Sequence, residues 1–235
     1  MKKELSLFLI AISLWFDAFP QITSAIETIE NKILTPSDMM IGRKLPPPET
    51  KGDFFYETEW QSAVIHLRNG QDIKNYPVRY DLENKLFEIK VDEKIKILKG
   101  NAVKSYEWLH FQYQQSESFV NAEDYEFEGT KLLGFYKVLV SGDVSLLSMR
   151  KTKIKKPTYV EGIDVGSRDN EILKYDEFYV AKEGKVFQLT NNRKKDGAFL
   201  EELTGEKELD KYMKQNKLGT KKEKDLVQLF EYLNR

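Results

Sequence analysis

The feature of this sequence that most limits its possible folds is the alternation of apolar and polar residues across residues 54–190. Turn-forming residues interrupt the alternation about every 8 to 12 residues, which is typical of antiparallel sheets. Ile65 and Leu67 share one face of a strand that ends at Asn69-Gly70, a dipeptide that favours the type I′ turn of a hairpin. We therefore predict a mainly β (α+β) fold, in which residues 52–190 form an antiparallel meander arranged as a barrel, roll or sandwich.

One predicted strand differs from the others because residues 132–140 are apolar at nearly every position. Ser141-Gly142-Asp143 then turns the chain into a second apolar run, residues 144–149. This pattern predicts a hairpin at the centre of the sheet, buried on both faces, with a bulge or bend at Gly134. A last hairpin is predicted across Glu183-Gly184.

The apolar spacing becomes helical after residue 190. Residues 191–235 are therefore predicted to form a C-terminal helical segment that packs against the sheet. Thr220 is followed three residues later by Glu223, which predicts a capping box at the start of the last helix.

The first 25 residues have the layout of a secretory signal peptide. Lys2 and Lys3 precede an apolar run, residues 5–16, which is too short to span a bilayer. Small residues at Thr23 and Ala25 predict cleavage after Ala25 and a periplasmic or secreted protein. An uncleaved membrane anchor is the alternative.

Residues 26–51 are predicted to form an N-terminal arm with a proline-rich spacer, and no transmembrane segment is expected in the mature chain.

Composition argues against nucleic acid as a partner and excludes disulfide bonds. Loss of residues 1–25 would remove two basic and two acidic side chains from the 37 and 38 of the whole chain, leaving 35 and 36. This balance gives no electrostatic basis for binding nucleic acid. The densest basic run, residues 150–156, is expected to be a solvated connection, with a docking patch as the alternative. The chain has no cysteine, so neither disulfides nor a lipoprotein anchor can form.

The residues best suited to metal chemistry do not form a recognisable site. His66 and His110 lie on the more polar faces of their predicted strands, and neither has a partner nearby in sequence. Asp164, Asp169 and Glu171 lie in a glycine-containing loop and offer oxygen ligands of the kind that calcium prefers, but their spacing does not match an EF-hand. We therefore predict no catalytic, cofactor-binding or metal-binding residues.

Acidic pairs and aromatic residues suggest two further kinds of site. The pairs Glu123-Asp124 and Glu126-Glu128 are candidates for glycoside chemistry, which needs two carboxylates, although they lie in a stretch equally suited to a recognition loop. Aromatic residues that precede the first strand are candidates for stacking on sugars or anchoring a partner, with burial in the core as the alternative: Phe54, Phe55, Tyr56 and Trp60.

Four segments carry a resemblance to known proteins: residues 64–70, 76–81, 134–140 and 222–226. Through them, the chain from about residue 55 to Arg235 resembles a family of exported β-rich bacterial proteins that has no assigned function. The resemblance implies a shared fold and brings no catalytic residues.

Export, balanced charge and abundant aromatic residues favour a non-enzymatic binding module of the cell envelope. Its expected partner is a protein, a glycan or a lipid. One alternative is a carrier that holds an apolar, lipid-like ligand in a barrel cavity. The other is a carboxylate-dependent glycan enzyme.

Overall fold

The computed structural model describes residues 44–47, 49–92, 94–110, 115–159, 161–163 and 165–235. The predicted signal peptide and most of the predicted N-terminal arm lie outside these residues. The strands are β1 Thr50–Lys51, β2 Gln61–Leu67, β3 Asp72–Ile73, β4 Pro77–Asp81, β5 Leu86–Val91, β6 Lys94–Lys99, β7 Val103–His110, β8 Gln115–Asn121, β9 Phe135–Val140, β10 Ser145–Lys155, β11 Asn170–Lys182 and β12 Lys185–Gln188. The helices are α1 Arg193–Thr204, α2 Leu209–Gln215 and α3 Glu223–Leu233.

All twelve strands belong to one sheet, which is largely antiparallel. Its main path runs β1-β11-β10-β9-β8-β7-β2-β4-β5-β6, while β12 pairs with β11 and β3 pairs with β2. Only the two-residue strand β1 pairs in parallel, with β11. Among the described residues the path ends at β1 and at β6 without closing into a barrel. The mainly β fold with C-terminal helices is therefore confirmed, and the barrel alternative is wrong.

The hairpin at Asn69-Gly70 is confirmed, but its turn differs from the predicted one. Ile65 pairs with Ile73 across the hairpin. Gly70 has a φ of 87°, whereas Asn69 does not have a positive φ. A type I′ turn needs positive φ at both central residues, so this loop of three residues, 68–70, relies on its left-handed glycine alone.

The inner face of the sheet carries an aromatic core. Tyr80, Phe87, Tyr106 and Phe119 are buried there, and the rings of the cluster pack with centroids between 4.4 and 6.2 Å apart. Such packing buries 150–250 Å² per ring in typical proteins, which makes it the main source of stability for this half of the sheet.

The helices pack on the other part of the same face. Leu146 and Val180, from β10 and β11, form a cluster with Leu200, Leu226 and other helical residues. Helix α3 begins at Glu223 with Lys222 as its N-cap, and no side chain caps it. The predicted capping box is therefore wrong, because Thr220 lies two residues before the N-cap position.

The segment before β2 lies over the end of β4. The backbone N–H of Tyr56 donates to the Tyr80 carbonyl at 2.8 Å, and that of Leu82 donates to the Phe54 carbonyl at 2.8 Å. Lys44, from the segment predicted as an arm, exchanges hydrogen bonds with the Asn84 side chain at 2.8 and 3.1 Å. The first described residues are therefore held beside the start of β5.

Within the part of the chain that the structure describes, none of the helices is both long enough and apolar enough to cross a membrane.

Candidate functional site: a cleft at the strand ends

A cleft of about 270 Å³ opens where the beginning of β5 meets the end of β6 and the segments around β8 and β9. We call it the strand-end cleft. The cleft is lined by residues that include three apolar and three polar side chains: Leu86, Ile97, Leu133, Lys85, Lys99 and Asn101. These six residues come from three separate parts of the sequence, which the sheet topology brings to one edge of the molecule.

Lys85 is the most unusual residue of the cleft. Its backbone is left-handed, with a φ of 55°, and its ammonium group donates to the Leu82 carbonyl. Burial lowers the pKa of this lysine, and nearby Lys151 lowers it further, whereas the carboxylates of Glu83 and Asp81 act in the opposite direction. No salt bridge joins Lys85 to a carboxylate among the described residues. A lysine held in this way is a binding group that the protein itself has only partly satisfied.

The backbone around Lys85 is closely packed. Gly100 lies in a short 3-10 turn after β6, and its N–H donates to the Lys85 carbonyl at 2.9 Å. A Cβ at Gly100 would lie 2.7 Å from that carbonyl oxygen, so a larger residue does not fit. The buried Asn121 amide donates to the carbonyls of Gly100 and Val103 at 3.2 and 2.6 Å. These contacts hold the wall of the cleft in one conformation.

Gly134 brings the backbone close to the floor of the cleft. Its φ is 113°, and a Cβ there would lie 3.3 Å from the Tyr80 hydroxyl and 3.7 Å from the Lys85 ammonium nitrogen. The Tyr80 hydroxyl is buried and makes no hydrogen bond within the described structure. The Tyr80 hydroxyl and the Lys85 ammonium group therefore both lie close to Gly134. Of the two predicted alternatives at Gly134, the bend is found, directly before β9, whereas the irregular pairing lies at Leu146 and Leu147.

The mouth of the cleft is mixed in character. Leu133 is 59% exposed there, whereas Ile97 is buried deeper in the wall. Lys99 and Asn101 are exposed, and Glu123 is half-buried. Two lysines and one glutamate give the lining a formal charge of about +1 at neutral pH. The cleft therefore suits a small ligand with both an apolar part and an anionic group.

A second, wider depression of about 640 Å³ lies between α1 and α2. Three of its charged groups are already paired, because Asp210 forms ion pairs with Lys214 and with Arg193, the latter at 3.7 Å. Glu201 accepts a hydrogen bond from the Asp210 backbone N–H at 3.0 Å. This depression is a solvated groove between helices and is a weaker candidate than the strand-end cleft.

Each predicted histidine candidate has a carboxylate partner. His66 Nδ1 lies 2.7 Å from Asp72 Oδ1 across the β2–β3 hairpin, so the expectation of no partner nearby in sequence is wrong. His110 Nε2 lies 3.6 Å from Glu117, which also pairs with Lys137 at 2.6 Å. The described residues contain no group of three or more side chains arranged to hold a metal ion.

The predicted calcium loop is only partly described, because Asp164 lies outside the described residues. Asp169 pairs with Lys51 at 2.8 Å, and Glu171 lies 3.7 Å from Lys155. Both carboxylates thus neutralise lysines from neighbouring strands.

The acidic stretch around residue 125 packs over the outer face of the sheet. Tyr125 and Phe127 contact Tyr136 and Tyr179, with ring centroids 5.8 and 6.0 Å apart. Asp124 pairs with Arg68 at 2.8 Å. Of the two predicted acidic pairs, Glu123-Asp124 and Glu126-Glu128, only Glu123 lines the strand-end cleft.

The aromatic residues before β2 are used inside the protein. Phe54 and Tyr56 are buried. Phe55 and Trp60 enclose the guanidinium group of Arg79, whose carbon lies 4.0 and 4.2 Å from their ring centroids.

The basic run of residues 150–156 is largely balanced by acids on β11. Arg150 binds Asp176 through two hydrogen bonds, at 3.0 and 3.2 Å, and Lys151 pairs with Glu177 at 2.7 Å. The run is therefore part of a ladder of cross-strand charge pairs.

Comparisons of the chain with protein-family profiles, with curated proteins and with solved structures each return no match. The resemblance to exported bacterial proteins therefore stays a prediction.

Of the residues that line the strand-end cleft, sequence patterns singled out Glu123 and Gly134 for other reasons but not Lys85. Lys85 lies in a short polar turn between two predicted strands, where lysine is ordinarily solvated. Its side chain lies close to Gly134, which is distant in sequence. Leu133, which is exposed at the mouth of the cleft, was predicted to be part of an apolar strand.

Proposed function

We propose that this chain is an exported, non-enzymatic binding module and that the strand-end cleft is its ligand site. The observation that carries the proposal is the partly buried Lys85 ammonium group, without a salt bridge among the described residues, in a cleft with an apolar wall. Export is supported by the sequence of residues 1–25. A single hydrogen-bonded path of strands also favours a roll over a sandwich of two sheets.

The two alternative functions have less support. A carrier with an enclosed apolar cavity would need space inside the aromatic core, but those rings pack against one another. A glycan enzyme would need two carboxylates facing each other across a cleft, and Glu123 is the one carboxylate among the described residues that line the strand-end cleft.

Native mass spectrometry tests the proposal on the mature chain, purified gently from an exporting cell. The wild-type chain should carry a reproducible added mass that is lost on denaturation. Leu133→Glu should lose that mass, because it places a carboxylate at the mouth of the cleft. Ile163→Glu is the matched control, since Ile163 is 68% exposed and does not line the cleft.

Retention of the added mass by Leu133→Glu would place the ligand elsewhere and contradict the proposal. A wild-type chain that carries no added mass would contradict it equally.

A further inference from the structure

We propose that the strand-end cleft binds a small monocarboxylate with a short apolar tail, whose carboxylate contacts Lys85 and whose tail lies against Leu86, Ile97 and Leu133. This inference rests on the proposed function and specifies its ligand class.

The carboxylate end is assigned from the hydrogen-bonding capacity of Lys85. An ammonium group has three donors, and the Leu82 carbonyl accepts one of them. Burying a cation without a counter-ion is costly, and a ligand carboxylate would offset that cost with a charge-assisted hydrogen bond. The Tyr80 hydroxyl also lies close to Gly134 and makes no hydrogen bond within the described structure, although Tyr80 does not itself line the cleft.

The apolar end is assigned from three apolar side chains that line the same cleft. Ile97 is buried, Leu86 is half-buried and Leu133 is exposed. An apolar tail could therefore contact all three side chains, whose exposure increases towards the mouth of the cleft. A volume of about 270 Å³ is close to the lower limit of ligand pockets, about 300 Å³. The tail is therefore short.

Glu123 explains why the ligand should carry one negative charge and not two. Its carboxylate lines the same cleft as Lys85 and Lys99. A second carboxylate on the ligand would meet this like charge, which disfavours dicarboxylates of the same length.

NMR titration of the full mature chain tests the proposal with hexanoate, hexanamide and adipate as probes. Hexanoate should shift the backbone amide signals of Gly100, Asn101 and Gly134. The uncharged hexanamide should bind at least about tenfold more weakly, because it lacks the carboxylate that pairs with Lys85. Adipate should also bind at least about tenfold more weakly, because its second carboxylate meets the like charge of Glu123.

The variant pair Lys85→Met and Lys182→Met separates the lysine of the cleft from a lysine with a similar structural role. Lys182 also donates to a backbone carbonyl, that of Leu203, at 2.8 Å, and it does not line the cleft. Hexanoate should bind Lys182→Met like the wild type and Lys85→Met at least about tenfold more weakly. Equal binding to both variants would overturn the proposal.

A series of tail lengths on the wild-type chain keeps the test decisive if Lys85→Met does not fold. From butanoate to hexanoate, affinity should rise about fourfold with each added CH₂ group. An affinity that is independent of tail length would overturn the assignment of the apolar end.

If native mass spectrometry places a ligand in the cleft while hexanoate does not bind, the ligand class is wrong and the binding site stands. If neither ligand is found, both proposals fail.

Discussion

Arg79 and Lys85 show two ways in which this fold holds a cation that is largely removed from water. The guanidinium group of Arg79 lies between the rings of Phe55 and Trp60 and pairs with Glu88 at 2.6 Å. Within the described part of the chain, the Lys85 ammonium group instead donates to the Leu82 carbonyl and pairs with no carboxylate. Arg79 therefore belongs to the stable framework of the sheet, whereas Lys85 is available to a ligand.

Replacement of Arg79 should destabilise the protein. Arg79→Met removes two cation–π contacts and leaves the buried Glu88 carboxylate without its guanidinium partner, so the free energy of unfolding should fall by about 2 to 3 kcal/mol. Urea unfolding followed by tryptophan fluorescence measures the change. Arg168→Met is the control, because Arg168 stacks on one ring, that of Tyr159, at 4.1 Å. A loss no larger than that of the control would contradict the prediction.

The pH dependence of stability should report the burial of Lys85. Its pKa is lowered in the folded protein, whereas the unfolded chain binds the same proton with the ordinary value of 10.5. Between the two pKa values the unfolded chain binds more protons, so a rise in pH stabilises the folded state. The variant Lys85→Met lacks this pH-dependent contribution to stability. The stability of the wild type relative to Lys85→Met should therefore increase as pH rises towards 10.5, as measured by urea unfolding at several pH values. A constant difference would contradict the lowered pKa.

At the scale of elements, the turn after β6 joins the core to the strand-end cleft. Gly100 packs against the carbonyl of Lys85, and Asn121 fixes the same turn from the end of β8. The cleft thus depends on backbone contacts between strands that are far apart in sequence.

Gly100→Ala should disturb this junction. The added methyl group would lie 2.7 Å from a backbone oxygen, and relief of that contact needs a backbone shift, which costs about 1 to 3 kcal/mol. Gly162→Ala is the matched control, because a Cβ at Gly162 meets nothing within 4 Å. Thermal unfolding measures both variants. Equal melting temperatures would show that the junction is looser than the structure indicates.

The sequence predicted the elements better than their ends and their contacts. Alternation identified the strands of the β2–β3 and β11–β12 hairpins, since period-two burial is a local property. The turn at Gly70 and the start of α3 at Glu223 differ from prediction because tertiary packing selects among local turn and cap geometries. The strand-end cleft was not predictable, because the burial of Lys85 arises from residues that only the fold brings together.

At the scale of the whole molecule, one continuous sheet joins the aromatic core to the helical cluster. Strand β9 contributes to both, since Phe135 belongs to the aromatic core and Leu139 packs against the helical cluster. A shared sheet favours a single cooperative unfolding transition.

Leu229→Ala tests this cooperativity. Leu229 is a fully buried residue of α3, so its truncation to alanine should lower the free energy of unfolding by about 2 to 5 kcal/mol. Trp60 and Trp108 both lie in the other half of the sheet. Because the halves unfold together, tryptophan fluorescence and circular dichroism should shift to the same lower urea midpoint. A fluorescence midpoint that stays at the wild-type value would show that the halves unfold separately.

The central claim is that the strand-end cleft is the ligand site. The most direct measurement is a crystal structure of the mature chain purified gently from an exporting cell, without added ligand. We expect electron density for a ligand in the cleft, within hydrogen-bonding distance of the Lys85 ammonium group and in contact with Leu133. Ligand density confined to another surface, such as the depression between α1 and α2, with the cleft filled by solvent alone, would contradict it.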